Sequence, residues 1–230
     1  MDNKKSPSIK IYSKQYYDRV LEEIKALDTS KMSPEKIYRI VLKKFGGIQI
    51  TVKMVLAHTK ITVYRITTYE PKEDEKQNPS SFSYNPNPTE IGRANLPGEH
   101  VFYGALHPFT CLKEMKDELS SVYYLSEWEY TAQKQLNIAL LNANVDMSEE
   151  TIASLITKGY ESAVKSMFDK SLNQQAKNAY WYAIQSFSKL FNEADNKYYL
   201  ITAAISSNWL YKLKKEQGGD IGMLMYPSVT

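Results

Sequence analysis

A loop reading Gly92-Arg93-Ala94-Asn95-Leu96-Pro97-Gly98 is followed by Tyr103, in the apolar run Val101-Phe102-Tyr103-Gly104-Ala105. Glu114 comes next, in Phe109-Thr110-Cys111-Leu112-Lys113-Glu114-Met115. An earlier arginine, Arg65, stands beside Tyr64 in a β-branched run, and Tyr226-Pro227-Ser228 lies near the C-terminus. Arginine offers a planar, permanently charged fork that matches phosphate and carboxylate oxygens. Arg65 and Arg93 could therefore clamp an anion from two sides. A glutamate beside a reacting carbon stabilises positive charge as it develops there. A tyrosine ring attracts a cationic ring held over its face. Asn95 and Ser228 could supply neutral hydrogen bonds.

Other chemistries find little support. Gly46-Gly47 and Gly218-Gly219 lack the Gly-Lys-Ser/Thr of a phosphate-binding loop, and no dinucleotide-binding glycine fingerprint is present. His58, His100 and His107 fall in no metal-ligand spacing, so no metal is expected. No Gly-x-Ser-x-Gly elbow occurs, and the single cysteine, Cys111, has no evident His–Asn partnership.

The elements that must position these residues follow from periodicity. Tyr17, Val20, Leu21, Ile24 and Leu27 recur at helical spacing. Ser33-Pro34-Glu35 opens a second helix with its apolar face on Ile37, Ile40, Val41 and Phe45, closed by Gly46-Gly47. Residues 13–46 are thus predicted to form a helical hairpin. From residue 48 the period changes to two, with strands expected at 48–54, 61–67, 101–105, 122–130, 136–141 and 221–226. Helices are expected at 108–119, from 148 onward, at 176–191 and at 199–214, and a long polar loop spans 70–88. Strands and helices mix without β-α-β alternation, so the class is α+β, with mixed, mostly antiparallel sheets and flanking helices. We divide the chain into an N-terminal helical extension, 1–47, and a main domain, 48–230, which carries the candidate residues Arg65 to Ser228.

The 230 residues suffice to bury a core, and 43% hydrophobic with 24% charged residues is ordinary for a globular domain. A net charge of +3 is too balanced to indicate direct nucleic-acid binding. No stretch approaches the roughly 20 apolar residues of a membrane helix. The basic N-terminal segment has no apolar run behind it and does not read as a secretory signal, so the expected location is cytoplasmic. The 18 tyrosines against 7 phenylalanines suit half-buried grooves and ligand walls, where Tyr64 and Tyr84 are further candidates.

Over residues 60–230 the pattern resembles the RES-domain family. Its early strand arginine is matched by Arg65, and its Gly-Arg-x-Asn-x-x-Gly stretch by Gly92, Arg93, Asn95 and Gly98. Its strand tyrosine is matched by Tyr103, its helical glutamate by Glu114, and its terminal Tyr-Pro-Ser by Tyr226-Pro227-Ser228. Asp220-Ile221-Gly222 departs from the family's Asp-Gly-Ile, and the N-terminal hairpin is an addition.

The resemblance implies a fold like the diphtheria-toxin-like ADP-ribosyltransferases, with NAD⁺ as substrate. It also implies a toxin-like enzyme that cleaves the nicotinamide–ribose bond by hydrolysis or phosphorolysis. Glu114, Arg93 and Tyr103 would be catalytic. Arg65, Tyr64, Asn95 and Ser228 would bind the dinucleotide. A helix-turn-helix antitoxin or an immunity protein is the implied partner, and a homo-oligomer is a further expectation. The same site would serve a protein mono-ADP-ribosyltransferase, and a catalytically silent interaction module on this fold is a third reading. Each residue also has an ordinary reading: Glu114 sits among Lys113, Lys116, Asp117 and Glu118, where most charges are simply solvated.

Overall fold

The computed structural model describes residues 10–46, 52–55, 60–67, 78–85, 87–114, 123–131, 136–141, 158, 162, 173–192, 196–212 and 221–226. Helix α1 (Lys14–Lys25) is capped by Ser13, whose side chain accepts from the Tyr16 N–H. Its buried face is Tyr17, Val20, Leu21 and Ile24. Helix α2 (Pro34–Lys44) is capped by Ser33, with proline in its first turn. It ends at Gly46, where φ is +72° and a Cβ would stand 2.5 Å from the Lys10 carbonyl oxygen. Only glycine fits that turn.

The predicted hairpin is therefore present, and it is not an isolated appendage. Helix α1 lies on α4 (Gln174–Asn192), and α2 lies on α5 (Tyr199–Ser207). Tyr17, Ile24, Ile37, Val41 and Phe45 share one apolar cluster with Tyr180, Phe187, Phe191, Ile201, Ile205 and Trp209. Burying side chains of this size stabilises by about 1.5–3 kcal/mol each.

Strands β1 (Val52–Val55), β4 (Leu136–Leu140) and β5 (Ile221–Met225) form one sheet in the order β1-β4-β5. β1 runs antiparallel to β4, and β5 runs parallel to it. Ile138, Ala139, Leu140 and Leu141 are all buried, the pattern of a central strand covered on both faces. The parallel β4–β5 pairing requires a long crossover, and α4 and α5 lie within it. Strands β2 (Lys60–Thr67) and β3 (Tyr124–Thr131) form a separate antiparallel pair, with Tyr64 opposite Glu127 and Arg65 opposite Ser126. Helix α3 (Pro108–Glu114) rests on β2, where the Cys111 thiol donates to the Tyr64 carbonyl at 3.1 Å. The α+β class with mixed, mostly antiparallel pairing is what the periodicity predicts.

The expected strand at 101–105 is not one. Only Ala105 bridges to β2, exchanging both backbone hydrogen bonds with Tyr64 at 2.7 and 2.8 Å. The Tyr103 carbonyl that would extend the ladder instead accepts from the Arg65 guanidinium at 2.9 Å. Helix 199–214 also differs: α-helical geometry ends at Ser207 and continues as a π-helical turn over Asn208–Lys212. Within the expected loop 70–88, Pro79–Phe82 makes a 3₁₀ turn capped by Asn78, while 70–77 lies outside the described residues. The expected helix from 148, apart from isolated positions, and the end of the expected helix at 108–119 also lie outside them. Among the described residues, no helix is long and apolar enough to cross a membrane.

Candidate active site

The loop 92–98 is held from within by a tyrosine and an asparagine. The Tyr103 hydroxyl accepts from the Ala94 N–H at 2.7 Å and donates to Asn95 Oδ1 at 2.8 Å. Asn95 Nδ2 in turn donates to the Glu90 and Leu96 carbonyls at 3.1 and 3.2 Å. The Gly92 N–H closes the loop on the Asn95 carbonyl at 3.1 Å. A Cβ at Gly92 would lie 2.3 Å from Asn95 Oδ1 and 2.6 Å from the Tyr103 oxygen, so this position has no room for a side chain. Sequence reasoning gave Tyr103 the task of stacking on a substrate ring. Its hydroxyl is committed to the loop, a task that reading did not include, and burial pushes its pKa well above the usual phenol value, so it stays protonated.

This scaffold aims Arg93 inward. Its guanidinium lies 3.4 Å from Glu114 Oε2, with the Arg93 side chain 11% exposed and that of Glu114 31% exposed. The rings of Tyr199, at the start of α5, and Tyr226, just past β5, flank it at 5.8 and 5.4 Å. Burial alone would lower the Arg93 pKa, but Tyr226, Glu114 and Tyr199 beside it outweigh that and raise it. Burial pushes the Tyr226 phenol up to about 12.

Arg65 approaches from β2. It donates to the Tyr103 carbonyl, and its guanidinium lies 5.5 Å from the Phe102 ring, which packs edge-on against Trp128. Burial lowers its pKa, but an arginine side chain remains cationic. The Nε atoms of both Arg65 and Arg93 are buried and have no hydrogen-bond partner among the described residues. Orphan donors on buried cations are costly and call for an acceptor.

Beside the loop lies a cavity of about 360 Å³. Its lining includes Arg65, Asn95, Glu99 and Tyr103, with Asn85 and the segment Pro88 to Gly92. Arg93 and Glu114 are not among its lining residues.

Arg65, Arg93, Asn95, Tyr103 and Glu114 are thus brought into one connected group. Tyr64 is not part of it: strand alternation turns its ring to the other face of β2, where nearby Glu127 adds to the desolvation that raises its pKa. Tyr84 is 49% exposed and rests near His100, outside the cavity lining. Ser228 lies outside the described residues. Burial also raises the Cys111 pKa, which argues against a thiolate nucleophile. Among the described residues, no group of three or more His, Cys, Asp or Glu is arranged to hold a metal ion.

Sequence reasoning gave no role to Tyr199, Tyr226 and Glu99. Tyr199 and Tyr226 border Arg93, and the excess of tyrosine over phenylalanine is the signal that could have pointed to them. Glu99 has no such signal, since a glutamate after a glycine reads as a solvated loop residue. Its carboxylate accepts from the Leu96 N–H at 2.9 Å and from Ser207 Oγ at 2.5 Å.

Comparison of the chain with protein-family models, with curated proteins and with solved structures found no match.

Proposed function

We propose that this chain is a toxin-like enzyme that cleaves the nicotinamide–ribose bond of NAD⁺ on an ADP-ribosyltransferase-like fold. One observation carries the reading. Two largely buried arginines, each with an unpartnered Nε, adjoin one glycine-flanked loop: Arg65 lines the cavity beside it, and Arg93 within it is paired with a glutamate. Such a group suits a diphosphate, whose charge and oxygens match two guanidinium forks.

The chemistry asks little more of the protein. The C1′–N bond breaks with its electron pair moving onto the nicotinamide nitrogen, which leaves neutral and needs no general acid. Positive charge builds at C1′, as in glycoside cleavage, and the Glu114 carboxylate stabilises it. An oxygen of water or phosphate then bonds to C1′; with water, a proton is released to solvent. Arg93 fixes the orientation of Glu114 while contacting the substrate, and Arg65 binds from the cavity side.

The test is NAD⁺ consumption by the purified protein, with and without inorganic phosphate, beside E114A and R93A. Nicotinamide release that falls about 100- to 1000-fold in E114A is expected, the usual effect of removing one preorganised charge-stabilising group. Labelled ADP-ribose retained on a protein band would assign transfer to a protein acceptor. Intact NAD⁺ in every arm would overturn the reading.

A further inference from the structure

Two consecutive residues beyond the Arg93 loop are gripped by one face of the helix that also carries Tyr199. Ser207 Oγ donates to Glu99 Oε1 at 2.5 Å, and the Tyr211 hydroxyl donates to the His100 carbonyl at 2.6 Å. Ser207 is the last residue of α5, and Tyr211 lies in the π-helical turn that follows it. Positions four apart share a helix face. At the other end of the same helix, Tyr199 stands against the Arg93 guanidinium. The segment 93–100 therefore runs along α5 and is tied to it at both ends. Ser207 is 2% exposed, so its bond to the carboxylate is shielded from water.

Glu99 is the joint of this arrangement. One carboxylate oxygen takes the Ser207 hydroxyl, and the other takes the Leu96 N–H inside the loop. The Glu99 N–H also donates to the Leu96 carbonyl at 3.0 Å, and Gly98 takes the left-handed φ of +82° that the bend needs. We infer that Glu99 is a positioning residue: through Leu96 and Ser207 it locks the Arg93 loop onto α5, and so sets where the Arg93–Glu114 pair stands. The inference rests on the proposed NAD⁺-cleaving reading only for its effect on turnover. Its effect on the loop is independent of any substrate.

The experiment has two arms on the full chain, using E99A, E99Q and S207A. The first is amide hydrogen exchange without ligand. E99A should speed exchange at Gly92, Ala94 and Leu96 by about tenfold or more, since losing 1.4 kcal/mol of local closure is a factor of 10 in an opening equilibrium. Exchange along α4 should not change. E99Q can still accept from Leu96 and donate to Ser207 Oγ, so it should recover most of the protection, and S207A should lie between E99A and wild type. The second arm is kcat/KM for NAD⁺, expected to fall on the order of 100-fold in E99A, as misplacement by about 1 Å does, with rescue in E99Q. Unchanged exchange over 92–96 in both E99A and S207A overturns the inference, whatever the activity. Should E99A fail to fold, S207A and E99Q carry the same test. A wild-type chain that leaves NAD⁺ intact overturns the catalytic reading instead, and the exchange arm still decides the role of Glu99.

Discussion

Replacing Tyr103 with phenylalanine removes one oxygen and separates two roles for this residue. The ring is retained, so a residue that merely stacks on a substrate would lose little. The hydroxyl, however, accepts from the Ala94 N–H at 2.7 Å and donates to Asn95 Oδ1 at 2.8 Å. Ala94 is 3% and Asn95 6% exposed, so water cannot readily replace either bond. Asn95 cannot flip to compensate, because its Nδ2 already serves the Glu90 and Leu96 carbonyls. A buried group left unsatisfied costs about 1–3 kcal/mol; with some relaxation at the carbonyl, the two together should cost about 2–4 kcal/mol. For a chain of this size each kcal/mol lowers Tm by about 2–4 °C, so Y103F should melt about 4–16 °C below wild type. Scanning calorimetry with urea titration measures this directly. A loss below about 2 °C would refute the assignment of the hydroxyl to the loop.

Three further outcomes are expected. G92A forces a Cβ to within 2.3 Å of Asn95 Oδ1, so it should destabilise by about 1–3 kcal/mol, as overpacking does, and should lower NAD⁺ turnover as Arg93 shifts; denaturant melts and nicotinamide release read the two effects. F45A empties a fully buried site between Tyr17 and Phe187 and should cost about 3–5 kcal/mol by urea titration, because the hairpin is part of the core. The Tyr226 phenol is raised from 10.0 to about 12, so the folded state holds its proton where the unfolded chain has released it. That stabilisation is complete below pH 10 and is lost as pH rises toward 12, so Y226F should flatten part of the alkaline decline in Tm. Tyr17 and Tyr103, also raised by burial, act with the same sign and should leave a residual slope.

The local elements were legible where their chemistry is local. Ser33-Pro34 caps its helix as the sequence indicates, and the β-branched run at 61–67 lies in a strand. The run 101–105 misled because a short continuous apolar run reads as a buried strand. What decides its conformation is the Arg65 guanidinium taking the Tyr103 carbonyl, a contact across distant segments that no periodicity reports. The end of α5 is similar: helical spacing continues past Ser207, yet Asn208 donates its side-chain amide back to the Ala204 carbonyl where the π turn begins. Arg93 and Glu114 could be named from their order and setting. That Tyr199 and Tyr226 border Arg93 could not be read, because a helix start and a strand end far along the chain meet only in the fold.

The meeting point explains why a helical hairpin at the N-terminal end of the chain bears on the site. Ring contacts run from Tyr17 to Phe45 at 6.0 Å, to Phe187 at 5.0 Å, to Phe191 at 6.3 Å and to Tyr226 at 5.7 Å. Arg93 stands 5.4 Å from the Tyr226 ring at the end of that series. Interiors are close-packed, so a ring cannot move without its neighbours giving way. The hairpin fixes Phe45, Phe45 bears on Phe187 in α4, and α4 holds Tyr226 against the guanidinium. Of the two helices that cover the hairpin, α5 also carries Tyr199 and Ser207, the first touching Arg93 and the second bound to Glu99. Residues 14–45 therefore bear on the candidate site as part of the packing that holds Arg93 beside Glu114, with no need for the hairpin itself to touch a substrate.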